Sequence, residues 1–201
     1  KNYEAHAQFM HESGHSEIAH APEDMVIFSK PSTSVIGPDD PIVIPSYSND
    51  MNFEPEVAVI MGRIAKNVPV EKAMDYVLGF TCVNDVTLRD LQGLDPMWTR
   101  AKGFDTSCPL GPWIQTELDW KDAKISFTLN GEDVPMASGT TANLIHGIPE
   151  QIAAISSFST LLPGDVIMTG TPNASGHLDP GDEPIVHVAG IGSLRNVVVR
   201  G

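Results

Sequence analysis

Glu54 and Glu56 stand two residues apart at the head of an apolar run, Val57-Ala58-Val59-Ile60-Met61. In a β-strand, residues i and i+2 project from the same face, so both carboxylates point one way. Like charges that close repel each other, and a hard divalent cation such as Mg²⁺ or Mn²⁺, which prefers oxygen ligands, would relieve them. Asp85 ends the next apolar stretch at Asn84-Asp85, where a side chain can leave the sheet for a cleft. The segment that follows reads as a helical turn opened by Asn84 or Asp85. Asp85, Arg89 and Gln92 then fall at i, i+4 and i+7, on one face. An acid, a guanidinium and an amide so placed can grip a metal-bound carboxylate, Arg bidentately and Gln as donor and acceptor. Each piece also has a plainer counterpart: two acids facing water at a strand entrance, and an N-cap followed by an exposed Asp–Arg pair.

Two further positions have the right chemistry. Lys102 lies among small and aromatic residues in Ala101-Lys102-Gly103-Phe104, where a surface lysine in a long loop is the ordinary alternative. Thr169 closes the Val166-Ile167-Met168 run before Gly170, and a glycine lets backbone approach a ligand closely. His11-Glu12-Ser13-Gly14-His15 fits the H-E-x-x-H zinc-protease pattern. That pattern needs a stable helix, and the central Gly14 costs about 1 kcal/mol against Ala. A solvated segment with incidental histidines explains it better.

The elements that must hold these residues are mostly strands. Short apolar runs at 26–28, 42–44, 57–61, 76–83, 166–168, 185–188 and 194–199 alternate with Gly, Pro and Asn-Asp breakers. Residues 125–129 alternate and meet Asn130-Gly131, a two-residue hairpin turn. Helices are expected at 70–76 and at 144–161, the latter with Ile145, Ile148, Ile152, Ile155 and Phe158 at helical spacing. Residues 1–24, polar and rich in His and Glu, read as a mobile entry segment, and 25–201 as a single domain. The fold class is mainly β with a few helices, α+β.

Bulk properties narrow the partners. The chain has 201 residues and a formal net charge of −14, which disfavours nucleic acid and anionic membrane surfaces. No apolar stretch is long enough to span a bilayer. Two cysteines make no disulfide framework, Cys82 reads as a small buried side chain, and a cytoplasmic, reducing location fits. The chain opens on Lys1 rather than Met, so residues ahead of it are expected, and no signal peptide is evident.

Taken in order, these fragments resemble the fumarylacetoacetate hydrolase family over nearly the whole chain. The resemblance is carried by Asn2-Tyr3…His6-Ala7, Phe28-Ser29-Lys30-Pro31, Phe53-Glu54-Pro55-Glu56-Val57, Asn84-Asp85…Arg89-Asp90…Gln92, Ala101-Lys102-Gly103-Phe104-Asp105, Pro163-Gly164-Asp165 through Thr169-Gly170-Thr171-Pro172, and Ile191 to Asn196. It implies a mixed β-sandwich roll, a homodimer, and one Mg²⁺ or Mn²⁺ per subunit on Glu54, Glu56 and Asp85. Residues 1–24 become a lid, and Arg89, Gln92, Lys102 and Thr169 line the pocket for a small 2-oxo acid. The implied reaction is hydrolysis of a carbon–carbon bond in an acylpyruvate or fumarylpyruvate-type diketo acid. Alternatives are decarboxylation, isomerisation or tautomerisation of oxaloacetate or a hydroxy-dienedioate, and a member that binds without turnover. In the hydrolytic members a Glu three residues after the matching histidine orients it. Here His6 is followed at that distance by Phe9, so Glu12 or Glu17 would have to act with His6 and Lys102 as the catalytic set.

Overall fold

The computed structural model describes residues 1–17 and 19–201. At its centre lie the two longest apolar runs, paired antiparallel as strands Pro55–Met61 and Val77–Asn84. Every residue of the first is buried, which is why its sequence reads as a continuous apolar run instead of an alternation. Val166–Met168 pairs on one side, and Cys108–Gln115 with Val35–Ile36 on the other, completing a five-stranded sheet.

A second sheet carries Gly139–Thr140, Lys124–Leu129, Pro184–Val188 and Gly192–Arg195 in that order. Its Lys124–Leu129 strand turns back through Asn130 and Gly131, both at positive φ (54° and 82°), as the Asn-Gly pair predicts. Phe127 of this sheet stacks on Phe53, the residue before Glu54, with centroids 4.0 Å apart, which ties it to the three-stranded sheet beside the carboxylates. A three-stranded sheet (Gly176–His177, Met51–Phe53, Thr87–Leu88) and a parallel pair (Pro41–Ile44, Val197–Arg200) complete the curled, mainly β architecture. Among the described residues no helix is long and apolar enough to cross a membrane.

Among the described residues four α-helices punctuate the sheets: α1 (Glu4–Glu12), α2 (Arg89–Gln92), α3 (Thr99–Lys102) and α4 (Ile148–Phe158). The structure departs from the sequence reading at several places. The helix expected over 144–161 begins only at Ile148, with Pro149 in its first turn. Ile145 (43% exposed) and Phe158 (64%) lie outside its buried stripe of Ile148, Gln151, Ile152 and Ser156. Residues 70–76 form a 3₁₀ helix. Val26-Ile27-Phe28 forms no strand; Val26 and Ile27 are exposed, and Phe28 packs edge-on against Trp98. Cys108–Gln115 is a strand despite Pro109, Gly111 and Pro112, and its register slips against Val77–Asn84 between Phe80 and Cys82. Prolines that cannot donate to a ladder hide such a strand from pattern reading.

Candidate metal centre

Strand register brings the acids together. Pro55 faces Asn84 and Glu56 faces Val83, so the next step off the ladder sets Glu54 opposite Asp85. The Asp85 N–H donates to the Glu54 carbonyl (2.9 Å), and the Glu54 N–H donates to Asn84 Oδ1 (2.9 Å). Glu54 and Glu56 therefore share one strand face while Asp85 enters from the neighbouring strand. All three carboxylates are buried, with ligand atoms within 4.8 Å of one another.

Three side-chain cations surround them. Lys102 Nζ bridges Glu54 Oε2 (2.7 Å) and Asp85 Oδ2 (2.5 Å), Lys30 Nζ donates to Asp85 Oδ1 (2.6 Å), and Arg89 donates to Glu54 Oε1 (2.6 Å). Burial opposes charge on Glu54, but Lys102 and Arg89 outweigh it and hold its carboxyl well below the usual range. Among the described residues Glu56 makes no ion pair; the Gly170 N–H donates to it at 2.6 Å. Burial, with Asp85 and Glu54 as like-charged neighbours, pushes it up to about 8. Burial likewise opposes the charge of Lys102, yet Asp85 and Glu54 raise its pKa.

The donor set fits a hard divalent ion: three oxygen-bearing side chains, one of them left without a counter-charge. The surrounding charges also cancel. With Glu56 ionised, as a bound metal would require, the three carboxylates and the side-chain cations Lys30, Lys102 and Arg89 sum to zero, so a bound 2+ ion would leave a net positive site for an anionic substrate.

The predicted helix face is different in detail. Residues 87–88 are a short strand and α2 starts only at Arg89, so Asp85 does not share a helix with Arg89 and Gln92. Arg89 instead donates to Gln92 Oε1 (2.5 Å), Glu54 and Ser175 Oγ (2.7 Å), and Asp85 is linked to it through Lys102 and Glu54. Lys102 ends α3, buried, with its ammonium 5.1 Å from the Phe28 ring centroid, so of residues 26–28 Phe28 is the one that reaches the site. The Thr169 hydroxyl donates to the Val57 carbonyl (2.8 Å) and so pins the turn that presents Gly170 to Glu56. Spacing carries no sign of Lys30 or Ser175. The one sign of Lys30 was its place in Phe28-Ser29-Lys30-Pro31.

Helix α1 closes the centre from above. His6 is buried, and its Nδ1 donates to the Asn173 carbonyl at 2.6 Å. Because a carbonyl only accepts, Nδ1 carries the hydrogen and Nε2 keeps its lone pair. Burial is the main reason its pKa falls to about 4, so the imidazole is neutral near pH 7. Phe9 stacks on it, with ring centroids 6.3 Å apart. Glu12 stands elsewhere, exposed and hydrogen-bonded to Gln8 (2.7 Å). Six residues beyond His6, it lies about 9 Å further along the axis and on another face. Glu17 is exposed as well. Among the described residues the hydrogen-bond partner of His6 is a carbonyl, and the acid acting on it, Glu54, does so by charge alone. The H-E-x-x-H fragment is not one helix: α1 stops at Glu12 and Gly14 takes φ +77°, which separates His11 from His15.

Comparison with known proteins places this geometry in context. Residues 1–199 match the family described as fumarylacetoacetate (FAA) hydrolase, C-terminal. The chain is 37% identical over 209 residues to oxaloacetate tautomerase Fahd2a, mitochondrial, of Rattus norvegicus, covering 98% of this chain and 64% of that protein. Its fold is similar to that of 5-carboxymethyl-2-hydroxymuconate delta-isomerase from Mycobacterium smegmatis (TM-score 0.89, 45% identity, 100% of this chain and 76% of that one). It is also similar to fumarylpyruvate hydrolase from Pseudomonas aeruginosa in complex with Mn²⁺ and pyruvate (TM-score 0.87, 28% identity, 100% and 87%).

Proposed function

Because this chain belongs to the fumarylacetoacetate hydrolase family of enzymes, we propose that it is a divalent-metal-dependent tautomerase of a small 2-oxo dicarboxylate of the oxaloacetate type. The observation that carries this reading is the setting of His6. A neutral imidazole, held by a backbone carbonyl and flanked by Phe9 where hydrolytic members have an acid, suits one proton transfer better than activation of water.

Glu54, Glu56 and Asp85 would hold Mg²⁺ or Mn²⁺, which supplies Lewis acidity toward the 2-oxo oxygen and its developing negative charge. Arg89, Gln92 and Ser175 orient a substrate carboxylate. Lys102 turns from Glu54 and Asp85 toward the developing oxyanion and stabilises it electrostatically. His6 Nε2 takes the proton from C3 and returns it to the 2-oxygen, so no water is consumed. The net positive charge of the loaded site favours a dianion, in keeping with the oxaloacetate tautomerase among the relatives. A homodimer belongs to the same proposal; Leu78, Trp113 and Ile114, exposed on neighbouring strands, support it as an apolar strip.

A second reading, hydrolysis of an acylpyruvate, is favoured by the lone pair on His6 Nε2 and by the fumarylpyruvate hydrolase among the structural neighbours. One experiment separates them. With Mg²⁺, the protein is given enol-oxaloacetate and acetylpyruvate, and enol absorbance and released pyruvate are followed. Metal-dependent acceleration of enol loss without pyruvate release is expected. Pyruvate release from acetylpyruvate without enol acceleration would reverse the order of the two readings.

A further inference from the structure

Helix α1 presents two faces, and the proposed reaction uses only the inner one. His6, Ala7 and Met10 lie inward, while Glu4, Gln8, His11 and Glu12 form an exposed stripe at i, i+4, i+7 and i+8. Ala19 and His20 return to this stripe, and the six residues together line a cavity of about 260 Å³.

The two histidines of the cavity are held alike. His20 Nδ1 donates to Glu4 Oε1 (2.5 Å), and the Ala21 N–H donates to Glu4 Oε2 (3.2 Å). His11 Nδ1 donates to the Ser16 carbonyl (3.0 Å). Carbonyls and ionised carboxylates only accept, so Nδ1 carries the hydrogen in both rings and Nε2 keeps its lone pair. An imidazole oriented in this way through one nitrogen is the form that ligates a metal through the other. Glu12 adds a carboxylate with an oxygen beyond the one that accepts from Gln8 (2.7 Å). His15 belongs to the same H-E-x-x-H fragment but does not line the cavity; its Nδ1 meets Ser13 Oγ (2.9 Å).

We infer that this cavity is a second metal site, for a borderline ion of the Zn²⁺ kind. His11 Nε2, His20 Nε2 and the Glu12 carboxylate are its ligands, with water in the fourth position. Two imidazoles set it apart from the sheet centre, whose three carboxylates suit a harder ion. The sheet centre holds its ligand atoms within 4.8 Å of one another, whereas the lid ligands are exposed side chains that turn to meet the ion. The inference stands independently of the reaction assigned to the sheet centre. An ion here clasps His20 to the face of α1 opposite His6, so zinc acts on how firmly the lid is held and not on the proton it moves.

Calorimetric titration with Zn²⁺ tests the assignment. Glu56→Gln, with the sheet centre disabled, should take up one Zn²⁺ per chain, and so should the parent kept saturated with Mg²⁺. His11→Gln and His20→Gln should each weaken that uptake by about a hundredfold or more. Glu4→Gln, which removes the carboxylate that orients His20, should weaken it by about tenfold. His15→Gln should bind as the parent does. All four lid positions are exposed, so melting temperatures without zinc should match the parent's; added Zn²⁺ should raise that of His15→Gln and not that of His20→Gln. Parental Zn²⁺ affinity in both His11→Gln and His20→Gln overturns the inference. So does uptake that Glu56→Gln abolishes, because the zinc would then sit at the sheet centre.

Discussion

The carboxylate centre and the inner face of the lid helix are both buried, but they are built differently. The centre sits on two long paired strands, with Glu54 and Asp85 each held by two cations. The lid face is one side of a nine-residue helix that buries His6, Ala7 and Met10 and turns Glu4, Gln8 and Glu12 to water. A helix that short is marginal alone and persists here through its packing. Backbone register thus fixes where a metal and a 2-oxo acid would bind. Which proton moves is left to a few side chains on a replaceable surface helix. In such a molecule, ligand binding and reaction type can change independently.

The strongest attack on that division is Glu56→Gln. Losing the one carboxylate without a counter-cation should abolish Mn²⁺ uptake in calorimetry and lower turnover by on the order of 10³-fold, the worth of several kcal/mol of Lewis-acid stabilisation. It should also change the stability of the metal-free protein. The folded pKa near 8 exceeds the ordinary 4.5, so the folded state binds this proton more tightly than the unfolded one. That contribution is complete below about pH 4.5 and is lost as pH rises to about 8. His6, depressed to about 4, adds stability as pH rises to 6.5 and offsets this loss up to there. Melting temperature should therefore fall between about pH 6.5 and 8 in the parent and not in the variant. Mn²⁺ affinity should rise over the same interval, since the metal must displace the proton. Mn²⁺ uptake by Glu56→Gln at parental strength would remove the basis for treating the sheet as the metal platform.

The contrast also explains what could be read from sequence. The i, i+2 spacing of Glu54 and Glu56 and the Asn84-Asp85 strand end survive folding unchanged, because strand geometry maps sequence to face directly. The Asp85–Arg89–Gln92 helix face does not survive. Thr87-Leu88 pairs with Met51-Asn52 and delays the helix, a tertiary pairing with no local mark. Lys30 and Ser175 reach the centre from chain positions 55 and 90 residues away from Asp85, and no periodicity predicts such contacts. The Cys108–Gln115 strand was hidden by its own prolines. The lid was legible only as a polar segment. That Phe9 stacks on His6 while Glu12 faces water depends on which side of α1 is buried, and its polar composition does not declare a face.

His6→Gln tests the other side of the division with a smaller effect. It should leave the affinities for Mn²⁺ and for oxalate, a planar mimic of a 2-oxo acid enolate, unchanged and lower the enol–keto rate by about 10²–10⁴-fold, the usual contribution of a general base. The pH profile gives an independent mark. A folded pKa near 4 against 6.5 means the imidazole stays neutral, and catalytically competent, until pH falls well below 6. The acid limb of the parent should therefore lie near pH 4. The same depression makes His6 a source of stability above pH 6.5 that is lost as pH falls toward 4. A parental limb near 6.5 would mean that the imidazole works outside the apolar setting described for it.

The smallest expected effect is the most specific. Phe9 is half-buried, one helical turn beyond His6 and already against its ring. Phe9→Glu places a carboxylate beside the imidazole without touching any strand. An adjacent negative charge stabilises imidazolium, so the acid limb should move upward by about one pH unit. A base with an acidic partner also suits water activation, so pyruvate release from acetylpyruvate should rise a few-fold while the enol–keto rate falls by a similar factor. Mn²⁺ affinity should not move. Glu12→Gln, made on the solvent side of the same helix, should change none of these quantities. If Glu12→Gln shifted the acid limb and Phe9→Glu did not, the outer face of α1 would be the one that sets the reaction, and the assignment of its two sides would have to be exchanged.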